Sequence, residues 1–149
     1  MKRYEKYKPT GIQWLPEIPE HWKIENFGKH FTFGKGLPIT KADLTKEGIA
    51  VISYGQVHSK LNTGVTLNNS LIRYVSPKWL NTNSQNLLNK CDFVFADTSE
   101  DIAGAGNCAF NDYSKPIFAG YHIVIARPTE VENSRYWAYL FQSNCWKSQ

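Results

Sequence analysis

The sequence predicts an α+β domain: a curved, mostly antiparallel β-sheet platform with short helices and a C-terminal helix. Three observations carry this expectation. Short β-branched and aromatic runs recur along the 149 residues, each stopped by Gly, Pro, Asn or Asp. Only two stretches show helical spacing. Strands and helices do not alternate in the rhythm of a doubly wound parallel sheet.

The elements follow in chain order. Residues 1–22 carry Pro9, Pro16 and Pro19 among Trp14, Leu15, Ile18 and Trp22. Proline forbids a continuous helix or a central strand, so this is an extended N-terminal arm. Trp14 and Trp22 are expected to close the open edge of the sheet and join the core with Phe31 and Phe93. Residues 23–33 read as a strand or a short turn of helix, and 34–38 as a loop. Residues 49–54 and 71–75 are buried strands, the second stopped by Pro77. Trp79, Leu80, Leu87 and Leu88 recur near helical spacing, so 78–88 holds a short helix. Residues 93–96 form a strand left through Asp97-Thr98-Ser99, and Gly104-Ala105-Gly106 is a flexible turn. Residues 117–126 are the longest β run, closed by Pro128. From 134 to 149 a C-terminal helix begins, capped by Asn133 or Ser134, with Tyr136, Trp137, Leu140, Phe141 and Cys145 on one stripe.

Composition narrows the class. With 42% hydrophobic, 14% aromatic and only 20% charged residues, the chain is the opposite of a disordered one. Its length suits a single domain, 1–149, with a real core. No run approaches the ~18 apolar residues of a membrane span, and the opening Met1-Lys2-Arg3-Tyr4-Glu5 lacks the apolar stretch of a secretory signal. A cytoplasmic protein is expected. Cys91, Cys108 and Cys145 cannot all pair within one chain and read as reduced, mostly buried thiols.

The net charge of +4 is concentrated. Residues 1–46 hold nine Lys/Arg against five acids, which is the whole surplus. Such a basic region favours a polyanion through counterion release, and it equally serves to solubilise a surface.

Most catalytic signatures are absent. There is no phosphate-binding Gly-x-x-x-x-Gly-Lys-[Ser/Thr] loop, no Gly-x-Gly-x-x-Gly after a strand, no Gly-x-Ser-x-Gly elbow and no His-Glu-x-x-His. His21, His30, His58 and His122 lie far apart without ligand spacing, so neither a metal nor another cofactor is expected. Asp97, Glu100 and Asp101 cluster, either as a carboxylate set for Mg²⁺ or as a loop whose Asp97 caps a turn.

What the chain does carry is hydrogen-bonding capacity. Between Leu61 and Asn89 come Asn62, Asn68, Asn69, Asn81, Asn83, Asn86 and Asn89, with Gln85 and several Ser/Thr. A side-chain amide matches the N7 and N6 groups of adenine in the major groove. Asn also favours turns for purely local reasons. Lys60, Arg73 and Lys78 are interspersed and suit phosphates or guanine edges.

Three stretches resemble a known family. Tyr7-Lys8-Pro9-Thr10-Gly11-Ile12-Gln13-Trp14-Leu15-Pro16-Glu17-Ile18-Pro19-Glu20-His21-Trp22 resembles the opening of specificity subunits of type I restriction-modification systems, with Thr10 for a usual serine and Pro16 for a usual glycine. Residues 92–101, Asp-Phe-Val-Phe-Ala-Asp-Thr-Ser-Glu-Asp, resemble that family's strand and loop, with Cys91 where glycine is common. Ala119-Gly120-Tyr121-His122 through Arg127-Pro128 resembles its later strand. The likeness spans nearly the whole chain as one target recognition domain.

The resemblance implies a non-catalytic module that reads one half of a split double-stranded DNA site. Methyl transfer and ATP-driven cleavage would belong to methyltransferase and restriction partner subunits. It also implies spacer helices and a second recognition domain, which lie outside residues 1–149. On this basis Lys35, Lys41, Lys60, Arg73 and Lys78 are candidates for phosphate contacts, and Gln56, His58, Asn62, Asn81, Asn83 and Gln85 for base readout. Tyr54, Thr98, Ser99 and His122 are expected to line the same cleft. Trp137 and Phe141 pack the last helix onto the sheet or onto a partner helix, and an apolar patch left there invites self-association. Two rival functions are a carbohydrate-binding β module, suited by Trp/Tyr with Asn and Asp, and a metal-dependent nuclease built on Asp97, Glu100 and Asp101.

Overall fold

The computed structural model describes residues 4–147. It is α+β, with antiparallel sheets and few short helices. The strands fall into a hairpin and two four-stranded sheets, so the single curved platform expected from the sequence is divided. The first sheet has the order β3 (Phe31–Lys35), β10 (Ile123–Pro128), β7 (Phe93–Ala96) and β8 (Cys108–Phe110), all antiparallel. The second has the order β4 (Leu44–Thr45), β6 (Arg73–Val75), β5 (Ile49–Ile52) and β9 (Ile117–Ala119), with β5 and β9 parallel.

The two-residue period of a strand explains how the sheets stack. Val94, Ile123 and Ile125 from the first sheet meet Ala50, Ile52, Ile117 and Ala119 from the second in one shared core. The alternate residues point away. Phe31, Phe93 and Phe110 pack on the outer face of the first sheet, beneath the helix α3 (Ser134–Gln142). Val51, Val75 and Phe118 pack on the outer face of the second with Leu37, Ile39 and the short helix α2 (Trp79–Thr82). Phe31 and Phe93 are therefore buried as the sequence indicated.

The run 117–126 is not one strand. β9 and β10 belong to different sheets, and the chain changes sheets through Gly120, Tyr121 and His122. A side chain at Gly120 would stand 1.9 Å from the Ser53 hydroxyl, and one at Gly36 would stand 1.8 Å from the Gly120 carbonyl oxygen. Only glycine permits backbones to approach so closely. Around this junction Gly120 N–H donates to Ile52 O (2.7 Å), Leu37 N–H to Ala119 O (2.8 Å) and Gly36 N–H to Ile123 O (3.0 Å), which stitches the sheets together through main chain.

Further expectations are refined or corrected. The arm folds back as a hairpin, β1 (Tyr7–Ile12) against β2 (Leu15–Pro19), that pairs only with itself. Its prolines sit where no ladder bond is lost to a third strand. Trp14 and Trp22 remain 50% exposed, so they join neither the sheet edge nor the core. With Ile24, Phe27, Trp137 and Trp146 they line an open apolar groove of about 730 Å³. The C-terminal helix breaks at Ser143, whose ψ of 151° is extended, and resumes as the turn α4 (Asn144–Lys147). Its packed face is Ser134, Ala138 and Phe141, all buried, with the half-buried Trp137, spaced i, i+4, i+7 and i+3, whereas Tyr136 (66% exposed) and Cys145 face outward. Trp137 and Phe141 pack the helix onto the first sheet as expected, while Ala138, fully buried in the same cluster as Phe93 and Phe110, carries little weight in a stripe built from hydrophobicity alone. Of the cysteines, Cys108 is buried, which pushes its thiol up to about 12, Cys91 is half-buried and Cys145 is exposed.

One buried ion pair ties the layers at the opposite end of β10. Asp92, 2% exposed, accepts from Arg127 Nη1 at 2.5 Å and from Asn89 N–H at 2.8 Å. Arg127 Nη2 also donates to the carbonyls of Gln85 and Leu87, both at 2.9 Å. Burial raises the Asp92 pKa above its ordinary 3.8, and the Asn89 N–H and Arg127 pull it back only in part. Arg127→Met, which leaves that carboxyl buried without its cation, is expected to cost about 3–5 kcal/mol in urea denaturation. A carboxyl whose folded pKa is raised favours the fold in acid and loses that contribution as pH rises. The deficit of Arg127→Met is therefore smallest below the ordinary 3.8 and widens as pH climbs through the folded-state pKa of Asp92. A second variant tests local strain: Cys91 has φ +73°, a left-handed conformation that costs an L side chain roughly 1–2 kcal/mol. Cys91→Gly is expected to leave stability unchanged or raise it by up to about 1 kcal/mol in the same assay.

Candidate nucleic-acid interface

Three segments converge on one open cleft. After β5 the chain enters the single helical turn α1 (Tyr54–Val57), whose start is held by Gln56 Oε1 accepting from Ser53 N–H at 3.0 Å. This places Tyr54 and His58 side by side, ring centroids 4.4 Å apart. The loop after β7 brings Asp97 to Asp101 over the His58 ring, whose Nε2 lies 3.3 Å from Thr98 O. The crossing between β9 and β10 supplies His122, 6.2 Å from the Tyr54 ring. Tyr54, His58, Ser99, Glu100, Asp101 and Asn107 line a pocket of about 370 Å³.

His122 is held there by backbone conformation. Its φ is +54°, unusual for a residue other than glycine, and such conformations collect at functional sites. Its Nδ1 lies 3.3 Å from Asp97 Oδ1, and its carbonyl accepts from Asp97 N–H at 3.3 Å. Both side chains are substantially exposed, so water screens the pair and its worth lies in orientation.

The loop from Asp97 to Gly104 is internally braced. Ser99 Oγ donates to Asp101 O at 2.6 Å, and Gly104 N–H donates to Asp101 Oδ1 at 2.6 Å. A side chain at Gly104 would lie 2.5 Å from Ser99 Oγ and 2.9 Å from the His58 ring. The glycine the sequence marks as a flexible turn is thus a close-packing site. At the loop tip Ile102 is 91% exposed, an apolar side chain presented to solvent on a braced turn. Sequence reasoning missed Ile102 and Asn107, because neither belongs to a recognisable motif; an isoleucine among Asp, Ala and Gly was the one available signal.

The candidates named from sequence divide by what their side chains touch. Tyr54, His58 and Ser99 line the cleft, His122 lies beside it with its ring 6.2 Å from that of Tyr54, and Thr98 reaches the His58 ring through its backbone carbonyl. Gln56 braces α1. Asn62 is committed internally: its amide donates to Val57 O (2.8 Å) and Cys108 O (2.9 Å), and its carbonyl accepts from Gly64 N–H (3.0 Å). Asn83 bonds Thr82 (2.7 Å) and Asn86 (3.4 Å), and Arg73 donates to the carbonyls of Ser70 (3.0 Å) and Ile72 (2.9 Å). Lys35, Lys41, Lys60, Lys78, Asn81 and Gln85 are exposed. Lys78 lies over the Trp79 ring at 5.4 Å and near Asp43, whose pKa is lowered first by the Thr40 N–H and in smaller part by Lys78. Lys35 lies on edge strand β3, opposite Val124, and its carbonyl accepts from Asn86 Nδ2 at 2.7 Å.

Among the described residues no three His, Cys, Asp or Glu are grouped so as to hold a metal ion, and no helix is long and apolar enough to cross a membrane. No protein-family model matches the chain, and no curated protein is significantly similar to it.

The left-handed crossing gives a direct test. His122→Gly is expected to retain full stability, whereas the β-branched His122→Val is expected to lose roughly 1–2 kcal/mol by urea denaturation. Equal stability of the two variants would show that the crossing does not impose that conformation.

Proposed function

We propose that this chain is a non-catalytic DNA-recognition module, reading one half of a bipartite double-stranded site in the manner of the type I specificity subunits it resembles. The observation that carries it is convergence. Tyr54, His58 and Ser99, from separate stretches of the chain, line one open cleft, with His122 beside Tyr54 and the Thr98 carbonyl on the His58 ring, and two of the three family-like motifs supply Thr98, Ser99 and His122. A smaller observation supports the resemblance itself: position 91, where the resembled pattern carries glycine, has the positive φ that glycine adopts most easily.

Within this proposal the groups divide by chemistry. Asp97, Glu100 and Asp101 repel phosphate, so the cleft faces base edges, where a carboxylate accepts from a cytosine amino group. Ser99 and His122 offer further donors and acceptors, and Ile102 an apolar contact for a thymine methyl. Phosphates are held by the exposed Lys35, Lys41, Lys60 and Lys78. Gln56, Asn62, Asn83 and Arg73 support loops. Methyltransferase and restriction activities belong to partner subunits in the cytoplasm of a prokaryote, and the groove lined by Trp14, Trp22 and Trp137 is a surface for self-association or for helices of such an assembly.

The test is selection from a pool of random duplex DNA at low salt and then at about 150 mM. A short asymmetric motif that survives added salt is expected. Lys35→Ala and Lys78→Ala are each expected to weaken all sequences alike and reduce the salt slope by about 1. Tyr54→Ala is expected to cost about 1–3 kcal/mol, chiefly on the selected sequence. Absence of binding at low salt would contradict the proposal, and binding on a glycan array would then favour the carbohydrate module.

A further inference from the structure

We propose that Asn107 and Lys147 are positioning residues that fix the His58 ring in its Nε2–H tautomer and so hold the 98–104 loop against α1. The relay stands on geometry alone; only its service to sequence preference rests on the DNA-recognition proposal.

Donor and acceptor identities leave one consistent arrangement. The Thr98 carbonyl can only accept, so His58 Nε2, 3.3 Å away, must carry the proton. At the other end Lys147 Nζ can only donate, and it lies 3.1 Å from Asn107 Oδ1. That contact orients the Asn107 amide, turning its Nδ2 toward His58 Nδ1 at 3.3 Å. Nδ1 must then accept, and the ring nitrogen opposite carries the hydrogen. The chain of donation thus runs from α4 through Asn107 and His58 to the cleft loop.

Gly104 makes the arrangement tight, since a side chain there would meet Nδ1 and Cε1 of His58 at 2.9 Å. The loop backbone consequently rests on the imidazole and is bonded to it at Thr98. With both nitrogens used inside the protein, His58 offers the cleft a ring face shared with Tyr54. Its part in recognition is to set the position of Ser99, Glu100 and Ile102, in place of the base-reading hydrogen bond expected from sequence. Lys147 lies in α4, so the end of the C-terminal helix bears on the cleft loop through Asn107 and His58.

Long-range ¹H–¹⁵N spectra of the imidazole rings in the full chain test the relay. Wild type is expected to show the Nε2–H pattern for His58. Asn107→Asp sets a carboxylate oxygen against Nδ1 and is expected to draw a proton onto that nitrogen. Lys147→Met frees the amide to rotate and is expected to mix the tautomers, while Lys147→Arg, which keeps a donor, retains the wild-type pattern. An Nδ1–H ring in wild type, or spectra unchanged in both Asn107→Asp and Lys147→Met, would overturn the relay. In DNA binding, Lys147→Met is expected to lose about fivefold or more of the preference for the selected over a scrambled duplex, with affinity for the scrambled duplex unchanged. An unaltered preference despite mixed tautomers would overturn the loop's positioning role. If the ring responds as expected while wild type prefers no sequence, the relay stands and the DNA-recognition proposal falls.

Discussion

The cleft depends on the place where the chain leaves one sheet and enters the other. From the end of β9 to the start of β10 the backbone is held against Ile52, Gly36 and Leu37 by main-chain hydrogen bonds, at distances only glycine allows at positions 36 and 120. Tyr54 N–H donates to Tyr121 O at 3.2 Å, so the first residue of α1 is anchored to the same crossing. The junction that joins the sheets therefore also sets Tyr54, His122 and Asp97 relative to one another. At the far end of β10, Arg127 and Asp92 hold the loop carrying Gln85 and Leu87 to the first sheet. A single strand is fixed at both ends by bonds that are costly to break, and a rigid platform of this kind is what presents polar loops reproducibly.

Much of the strand inventory was legible in the sequence, because β-branched and aromatic runs ending in Gly, Pro or Asp have few other uses. The strands at 49–52 and 93–96 are examples. The division into two sheets was not legible. Residues 117–126 read as one β run because hydropathy continues through the crossing, and the change of sheet is specified by tertiary contacts at Gly36 and Ser53. The sequence shows the hairpin only as an extended arm, since proline content tells what a segment cannot be rather than what it pairs with. Trp137 and Phe141 pack the terminal helix onto the sheet as the sequence indicates, but Tyr136 and Cys145 of the same stripe face outward, and Ala138, fully buried, is too small to carry weight in a hydrophobic pattern.

The site was legible to a similar degree. Of Tyr54, Thr98, Ser99 and His122, which the sequence places at one cleft, Tyr54 and Ser99 line it, His122 stands 6.2 Å from the Tyr54 ring, and Thr98 contributes its backbone carbonyl. What sequence could not supply was the use of each polar side chain. Asn62 looks like any other asparagine in a polar stretch, yet all its hydrogen-bonding groups serve loops and strands. Hydrogen-bonding residues dense enough to suggest recognition are dense enough to build the loops that recognition requires. Separating the two needs the folded structure, since Asn62 bonds Cys108 across 46 positions of the chain and Asn86 bonds Lys35 across 51.

The most direct measurement of the central claim is a backbone amide NMR titration of the intact chain with a duplex carrying its preferred sequence, against a scrambled duplex of equal length. Recognition at the cleft predicts that the shifts distinguishing the two duplexes concentrate at Tyr54, Ser99, Ile102 and His122, while those common to both lie near the exposed lysines. Sequence-dependent shifts confined to another surface, or identical shifts with both duplexes, would contradict it.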